Sequence, residues 1–549
     1  MRPIITAALT CVFACLGLPA AAQPNSKVDL EAAFASIAPT GAGCVAGVAL
    51  PDSAPIIVAR GQADLEHSAP LTAASVFETG SLAKQFTAAA VMLLVRDGRL
   101  SLDDNIRRVL PEMPDYGTPI TIRQLLNHTS GLREQWSLLA LTGNGPGLQV
   151  HTNAMILDLA SRQKSLNFMP GAEFLYTNTN YALAAIVVER ISGASLQTFT
   201  DQRLFQPLGM THTQWREDFR TVVPGRANAY SPVDDGFVAN MHLTNVYGNG
   251  GLLTTVGDLL LWNAFLDRPS ILPGGAALVA ALQTPGRLGT GGVLEYGLGL
   301  EIGRDKGWRR IAHSGSTAGY KAWLGRYPDQ KVSVALMCNN GGVDPVSLGE
   351  AIAHQALLSV GHAPAQAVAP PEPRAVEPLR DVARYEGLFR NPVSGDLVRL
   401  TANDGQLTLA RGASQILRPL GENRFQTANG GVLLFHQRGG ALDFSLTMAG
   451  ITQDFIAVRP ANTAPLADYV GSYYSAELET QITVSQQGDA LVMRQPFAVE
   501  WRLSPSFADA FTTRLRGVTT FVFGRNPDGQ VTAFGAWAGG ARNVVFVKQ

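Results

Sequence analysis

Charge is what this chain has least of. Asp, Glu, Lys and Arg make up 16 % of its 549 residues, which is low for a soluble protein. The two signs nearly cancel, leaving a net charge of −1, and no block of like charges stands out. Nucleic acid is thereby set aside as a partner, because binding phosphates needs a basic face. The nine histidines are scattered, and no Cys-x-x-Cys or His-Glu-x-x-His pattern occurs. No metal site and no cofactor are expected. No apolar run after residue 22 is long enough to span a bilayer. Cysteine is scarce too. Of four, Cys11 and Cys15 fall in the N-terminal leader, which leaves Cys44 and Cys338. Both sit in apolar, β-rich stretches. Buried free thiols are the expectation, with a disulfide as the alternative in an oxidising compartment.

Residues 1–22 read as an export signal: Arg2, an apolar run from Ile4 to Leu18, then Pro19-Ala20-Ala21-Ala22. Small residues at positions 20 and 22 place cleavage before Gln23, so a periplasmic or secreted protein is expected. Bulky Phe13 ahead of Ala14-Cys15 weighs against a lipid anchor. Residues 23–360 alternate helix-like and strand-like stretches. Gly43–Leu50 and Pro55–Ala59 read as paired strands. Lys84–Arg96 reads as an amphipathic helix stopped by Asp97-Gly98, and Asn180–Ile191 as a second helix. Trp308–His313, Lys321–Tyr327 and Lys331–Cys338 read as successive strands. Strands at both ends of this zone imply an antiparallel sheet whose first and last segments meet.

Residues 361–380 form an Ala/Pro-rich linker. Beyond it lie short alternating strands in two units, 381–460 and 461–549. Tyr385-Glu-Gly387-Leu-Phe389 in the first is echoed by Tyr469-Val-Gly471-Ser-Tyr473 in the second. Two small closed barrels fit this duplication, since closure removes exposed sheet edges. The repeated Tyr and Gly read as packing residues at strand starts.

The chemistry concentrates in three short stretches. Ser81-Leu-Ala-Lys84 stands at the start of an apolar helix, where residues three apart share a face. A sheltered lysine can take the proton of a serine hydroxyl and make it a nucleophile. Ser161-Arg-Gln-Lys164 has the same spacing, but charged residues and no preceding Gly mark it as a solvated helix face. Tyr176-Thr-Asn178 falls on the loop entering the second helix. A phenol beside an ammonium has its ionised form stabilised and can move protons. The Asn amide can hold a substrate carbonyl and tie Lys84 in place. In His313-Ser-Gly315-Ser316, alternation on a strand points His313 and Gly315 to one face. The bare Gly315 admits a substrate backbone, and the Ser316 N–H can pair with that of Ser81 as an oxyanion hole.

In the order Ser81-x-x-Lys84, Tyr176-x-Asn178, His313-x-Gly315, these stretches resemble the serine β-lactamase and penicillin-binding-protein superfamily, in its class C β-lactamase-like (peptidase S12-like) branch. Thr121–Leu132, Phe205–His212 and Gly250–Leu259 agree with it. The resemblance implies an α/β sandwich, an antiparallel sheet flanked by helices with an all-helical lobe, followed here by two antiparallel β-barrel domains. The whole layout resembles D-stereospecific aminopeptidases, as do Leu132-Arg-Glu-Gln-Trp136 and Gly471–Leu478. In those enzymes a loop of the last barrel restricts the site. The corresponding stretch, near Phe511–Thr520, is short and carries no acidic residue.

The resemblance implies that Ser81 attacks an amide or ester carbonyl while Lys84 and Tyr176 remove its proton. Ser81 and Ser316 then hold the oxyanion, His313 and Asn178 orient substrate and Tyr176, and Tyr176 activates the deacylating water. Lys-Thr-Gly is usual where His313-Ser-Gly stands; losing that cation argues against substrates anchored by a carboxylate. Three functions stay open. They are a D-aminopeptidase or related hydrolase of small amides or esters, a promiscuous esterase or weak β-lactamase, and a non-catalytic relative that binds a ligand or partner. Oligomeric state is not legible.

Overall fold

The computed structural model describes residues 30–364, 381–411, 413–448, 451–459, 464–515 and 517–549. The leader and most of the linker lie outside the described residues. Six strands form the central antiparallel sheet: β1 Cys44–Ala49, β2 Ile56–Arg60, β3 Glu301–Asp305, β4 Trp308–Thr317, β5 Tyr320–Tyr327 and β6 Val332–Cys338. Their order is β3-β4-β5-β6-β1-β2, so the first strand is paired with the last, as expected from the sequence.

Alternation along the strands decides what each face touches. Cys44, Ala46 and Val48 of β1 and Val334, Leu336 and Cys338 of β6 pack in a core with helix Pro345–Ser359. Val45, Ala335 and Met337 face the opposite way, toward helices α1 (Ala83–Arg96) and Val256–Asp267. Cys44 and Cys338 stand directly opposite in register, with Cα atoms 4.0 Å apart, and form a disulfide. The expectation of free thiols is therefore corrected: cross-strand pairing brings together residues 294 apart in sequence.

Helix α1 is also not amphipathic in the expected sense, since twelve of its fourteen residues are buried. Its polar residues bond inward. Gln85 Oε1 accepts from Trp262 Nε1 at 2.6 Å, and Thr87 Oγ1 donates to the Gly248 carbonyl at 2.8 Å. Ser161-x-x-Lys164 is solvated at Lys164, which is exposed, but the helix ends at Ser161 and the stretch is not a helix face throughout. Gln163 within it is buried and holds Arg133, and the Lys164 N–H donates to Glu477 at 2.8 Å.

Both C-terminal units are closed eight-stranded antiparallel barrels. Their starts repeat one packing device. Tyr385 and Tyr469 each close a short 3-10 turn and are buried. Each hydroxyl meets a residue in left-handed conformation, Asn423 at 2.9 Å and Asp509 at 2.8 Å. The second barrel shares an apolar core with Trp136, Leu138, Leu139 and Leu141 of helix α2 (Gln135–Leu141). The buried Arg133 guanidinium, 1 % exposed, pairs with Glu477 of that barrel at 2.7 Å.

Candidate active site

Ser81 lies in a 3-10 turn, Gly80–Leu82, that runs into α1. Gly80 takes φ +54, where an added Cβ would stand 2.7 Å from the Ser316 nitrogen. A Cβ at Gly315 would meet the Thr79 carbonyl oxygen at 1.9 Å and the Ser81 nitrogen at 3.2 Å. The turn and strand β4 thus cross closely through two positions that lack a side chain. The crossing brings Ser81 and Ser316 to one cavity, which both residues line.

Lys84 follows one turn later and is fully buried. Its Nζ lies 3.1 Å from Ser81 Oγ, 2.8 Å from Asn178 Oδ1 and 2.7 Å from the Asn249 carbonyl oxygen. Burial brings the ammonium down to about 7, against an opposing pull from Glu134. At ~1.36 kcal/mol per unit, the net shift disfavours the charged form by about 5 kcal/mol. In the neutral amine two N–H bonds satisfy Asn178 and Asn249, and the lone pair faces the Ser81 hydroxyl.

Asn178 is the first residue of the helix Asn178–Ser192, not a loop residue. Its Nδ2 donates to Glu134 Oε1 at 3.0 Å, while Glu134 Oε2 caps α2 through the Ser137 N–H at 2.8 Å. Tyr176 presents its ring, not its oxygen, to the lysine: Nζ is 4.8 Å from the ring centroid. Burial pushes the phenol well above its ordinary range, against the opposing pull of the Ser81 hydroxyl. A phenolate stabilised by the ammonium is therefore corrected to a protonated phenol.

His313 is neutral, as expected, but not free to orient a substrate. Burial, then the Lys84 charge, holds its imidazole down to about 4. Its Nδ1 lies 2.6 Å from the Ser314 carbonyl oxygen and Nε2 3.0 Å from the Tyr296 hydroxyl. With both nitrogens engaged, the ring has no edge left for a ligand. The His128 ring, also buried, lies 4.3 Å from the Tyr176 ring and 5.0 Å from that of Tyr296. Tyr181, fully buried, lies beneath the Lys84 ammonium. Tyr296, His128, Asn249 and Glu134 had no assigned role in the sequence reading. His128 and Glu134 fall in stretches already singled out, whereas no local signal marks Tyr296.

A cavity of about 320 Å³ opens on Ser81 and is lined also by Trp136, Asn178, Asn240, His242, Asn249 and Thr317. Among the described residues, no Asp, Glu, Lys or Arg lines it. Behind its outer wall Glu78 is buried against Arg216, with contacts of 3.0 and 3.1 Å, and against His242 at 3.2 Å. Burial opposes its charge, but Arg216 and His242 more than offset that and hold the carboxyl well below its usual range. The hairpin joining Ala510–Arg514 and Val518–Arg525 contributes no described residue to the cavity. Asp64, Glu66 and His67 form the one grouping of potential metal ligands among the described residues; none lines the cavity. No described helix is long and apolar enough to cross a membrane.

A family profile described as Beta-lactamase matches residues 17–357. The chain belongs to that family. It is 31 % identical over 300 residues to Penicillin-binding protein 4* of Bacillus subtilis, covering 51 % of this chain and 64 % of that protein. That match falls just short of two thirds of the Bacillus relative. The D-aminopeptidase of Brucella ovis is 26 % identical over 439 residues, 79 % of each chain. A match of that length must extend past the linker into at least the first barrel. The solved D-amino acid amidase from Ochrobactrum anthropi SV3, complexed with L-phenylalanine, superposes with a TM-score of 0.51. At 23 % identity, over 60 % of this chain and 98 % of that one, it is a likeness of fold.

Proposed function

We propose that this protein is a serine hydrolase of small amides and esters, working through an acyl-enzyme with a D-aminopeptidase-like preference. The observation that carries the reading is the buried Lys84 amine 3.1 Å from Ser81 Oγ and brought down to about 7. The Ser81 oxygen attacks the carbonyl carbon as its proton passes to Lys84. The N–H groups of Ser81 and Ser316 receive the developing oxyanion. The carbon–leaving-group bond breaks as the leaving group takes the proton that Lys84 received from Ser81. In the second half, water attacks the acyl carbon and yields a proton to neutral Lys84. The Ser81 ester bond breaks, and the serine recovers its proton from the lysine.

A cavity without fixed charge favours substrates whose reacting end is neutral, and supports amides and esters over carboxylate-anchored β-lactams. The Brucella D-aminopeptidase match, which runs past the linker, supports the peptidase preference within that class. Export is part of the proposal, supported by the residue 1–22 leader and by the Cys44–Cys338 disulfide. Periplasmic or medium fractions should contain the mature chain.

The test is a panel of D- and L-alanine p-nitroanilides, p-nitrophenyl esters and nitrocefin, with fluorophosphonate labelling. Turnover of the D-anilide above the L-anilide is expected, and Ser81→Ala should abolish both turnover and labelling. Unchanged hydrolysis in that variant would end the proposal.

A further inference from the structure

The acid–base steps above need no barrel, yet the second barrel is built into the wall behind Lys84. Its last turn, between strands Val531–Ala538 and Ala541–Lys548, carries Gly539-Gly540. The Gly540 carbonyl accepts from the Glu134 N–H at 3.0 Å and from Asn167 Nδ2 at 2.7 Å. Asn167 Oδ1 in turn accepts the Arg542 N–H at 2.9 Å. A Cβ at Gly540 would stand 2.5 Å from Glu134 Cβ, which is not the movable end of a side chain. Next to Glu134, the Arg133 guanidinium donates to the Arg542 carbonyl at 3.2 Å and the Asn543 carbonyl at 3.1 Å. On its other side Glu134 accepts from Asn178, and Asn178 accepts from Lys84.

We infer that Glu134 is a positioning residue of the acyl-transfer site, set in place by the Gly539-Gly540 turn of the second barrel. The inference rests on the reading of Ser81 and Lys84 given above. Both carboxylate oxygens of Glu134 are occupied, one by Asn178 and one by the Ser137 N–H. Its place along the wall is then set from the backbone, which the barrel turn holds. A displaced Glu134 releases Asn178, and Asn178 fixes one of the two N–H bonds that aim the lysine lone pair. It also removes the negative charge that opposes the fall of the Lys84 ammonium. The barrel is then part of the catalytic apparatus, although none of its described residues lines the cavity.

Gly540→Ala and Glu134→Gln in the full-length protein test this beside Gly524→Ala. An added methyl at Gly524 meets only the Ala533 carbonyl oxygen, at 3.9 Å. Three quantities are read: kcat and KM on the best substrate of the panel, melting temperature, and the titration midpoint of Lys84. The chain has seven lysines, so ¹³C-ε-lysine resonances are few, and Lys84 is assigned by its loss in Lys84→Arg. The first two variants should lower kcat about tenfold to a hundredfold, with KM within about threefold. Both should move the Lys84 midpoint below that of the wild type, and Gly524→Ala should change nothing. Asn167→Ala frees the turn without adding volume and replaces Gly540→Ala should that variant not fold. An unchanged kcat and midpoint in the turn variant, or losses that merely track the folded fraction, would overturn the inference. A wild type that fails to label at Ser81 would defeat the hydrolase reading instead; the Lys84 midpoint would still decide whether the barrel reaches the site.

Discussion

The two sides of the Ser81 cleft are built from different materials. Behind the serine, Lys84, Tyr176, Tyr181, His128, His313 and Tyr296 form a dry cluster in which aromatic rings surround one amine. In front of it, Asn240, His242, Asn249 and Thr317 line an open cavity. The contrast divides the labour of an acyl-transfer site. Proton affinities are shifted by removing water, so the groups that move protons must be enclosed. Groups that only receive a substrate can stay wet, where adaptable hydrogen bonds cost little.

The largest effects should come from wetting or emptying the dry side. If Lys84 must be neutral to accept the serine proton, kcat/KM rises tenfold per pH unit below about 7 and levels off above it. The sign follows from burial: it disfavours the ammonium, so the base is available at a lower pH than for an exposed lysine. Lys84→Met should lose ~10³-fold or more in kcat, the scale of a lost general base and its activated nucleophile. A limb near 10 instead of 7 would mean that water reaches the amine, and the division between the two sides would fail.

Next in size is a loss of stability without a loss of chemistry, on the wet side. Glu78 and Arg216 are side-chain exposed by 0 and 1 % and form the ion pair behind the cavity wall. Glu78→Gln leaves the Arg216 charge buried with no anion, a change that costs ~3–5 kcal/mol. Calorimetry should show a melting temperature lower by roughly 10 °C. In the cold, the folded enzyme should keep kcat within a few-fold. A variant as stable as the wild type would show that the outer wall does not depend on this pair.

What could be read from sequence followed the range of the interactions. Ser81 and Lys84 are three apart on one helix, so their meeting is local geometry, and the spacing alone exposes it. The meeting of the first and last strands was legible because alternating apolar stretches at both ends of the zone had to share a sheet. Helix α1 was misread as amphipathic because Lys84, Gln85 and Thr87 look like a solvent face. Their partners, Asn249, Trp262 and Gly248, come from more than 160 residues away. The same distance hid the state of Tyr176. A phenol near an ammonium favours phenolate, but the lysine meets the ring face, and burial of the hydroxyl outweighs the charge. The Cys44–Cys338 pairing depends on register, and the hold of Tyr296 on His313 depends on a loop with no motif.

The smallest expected effect is the sharpest test of the division, because it asks whether a cavity residue stays out of the proton transfers. The His242 ring is one-fifth exposed, with Nδ1 placed between Glu78 Oε1 at 3.2 Å and Thr317 Oγ1 at 2.7 Å. The ring is thus fixed by one nitrogen, leaving the other side of the imidazole to the cavity it lines. His242→Ala removes one contact of ordinary strength, ~0.5–1.5 kcal/mol, which converts to about two- to tenfold in affinity. If the wet side only receives substrate, that loss falls on ground state and transition state alike. KM should rise while kcat stays within about twofold. The rise should differ between anilide and ester substrates, since these differ in the group they place in the cavity. An equal fall in kcat and kcat/KM would mean that His242 bonds something present only in the transition state. It would then be a further proton-handling group at the cleft, and the boundary between dry and wet halves would have to be redrawn through His242.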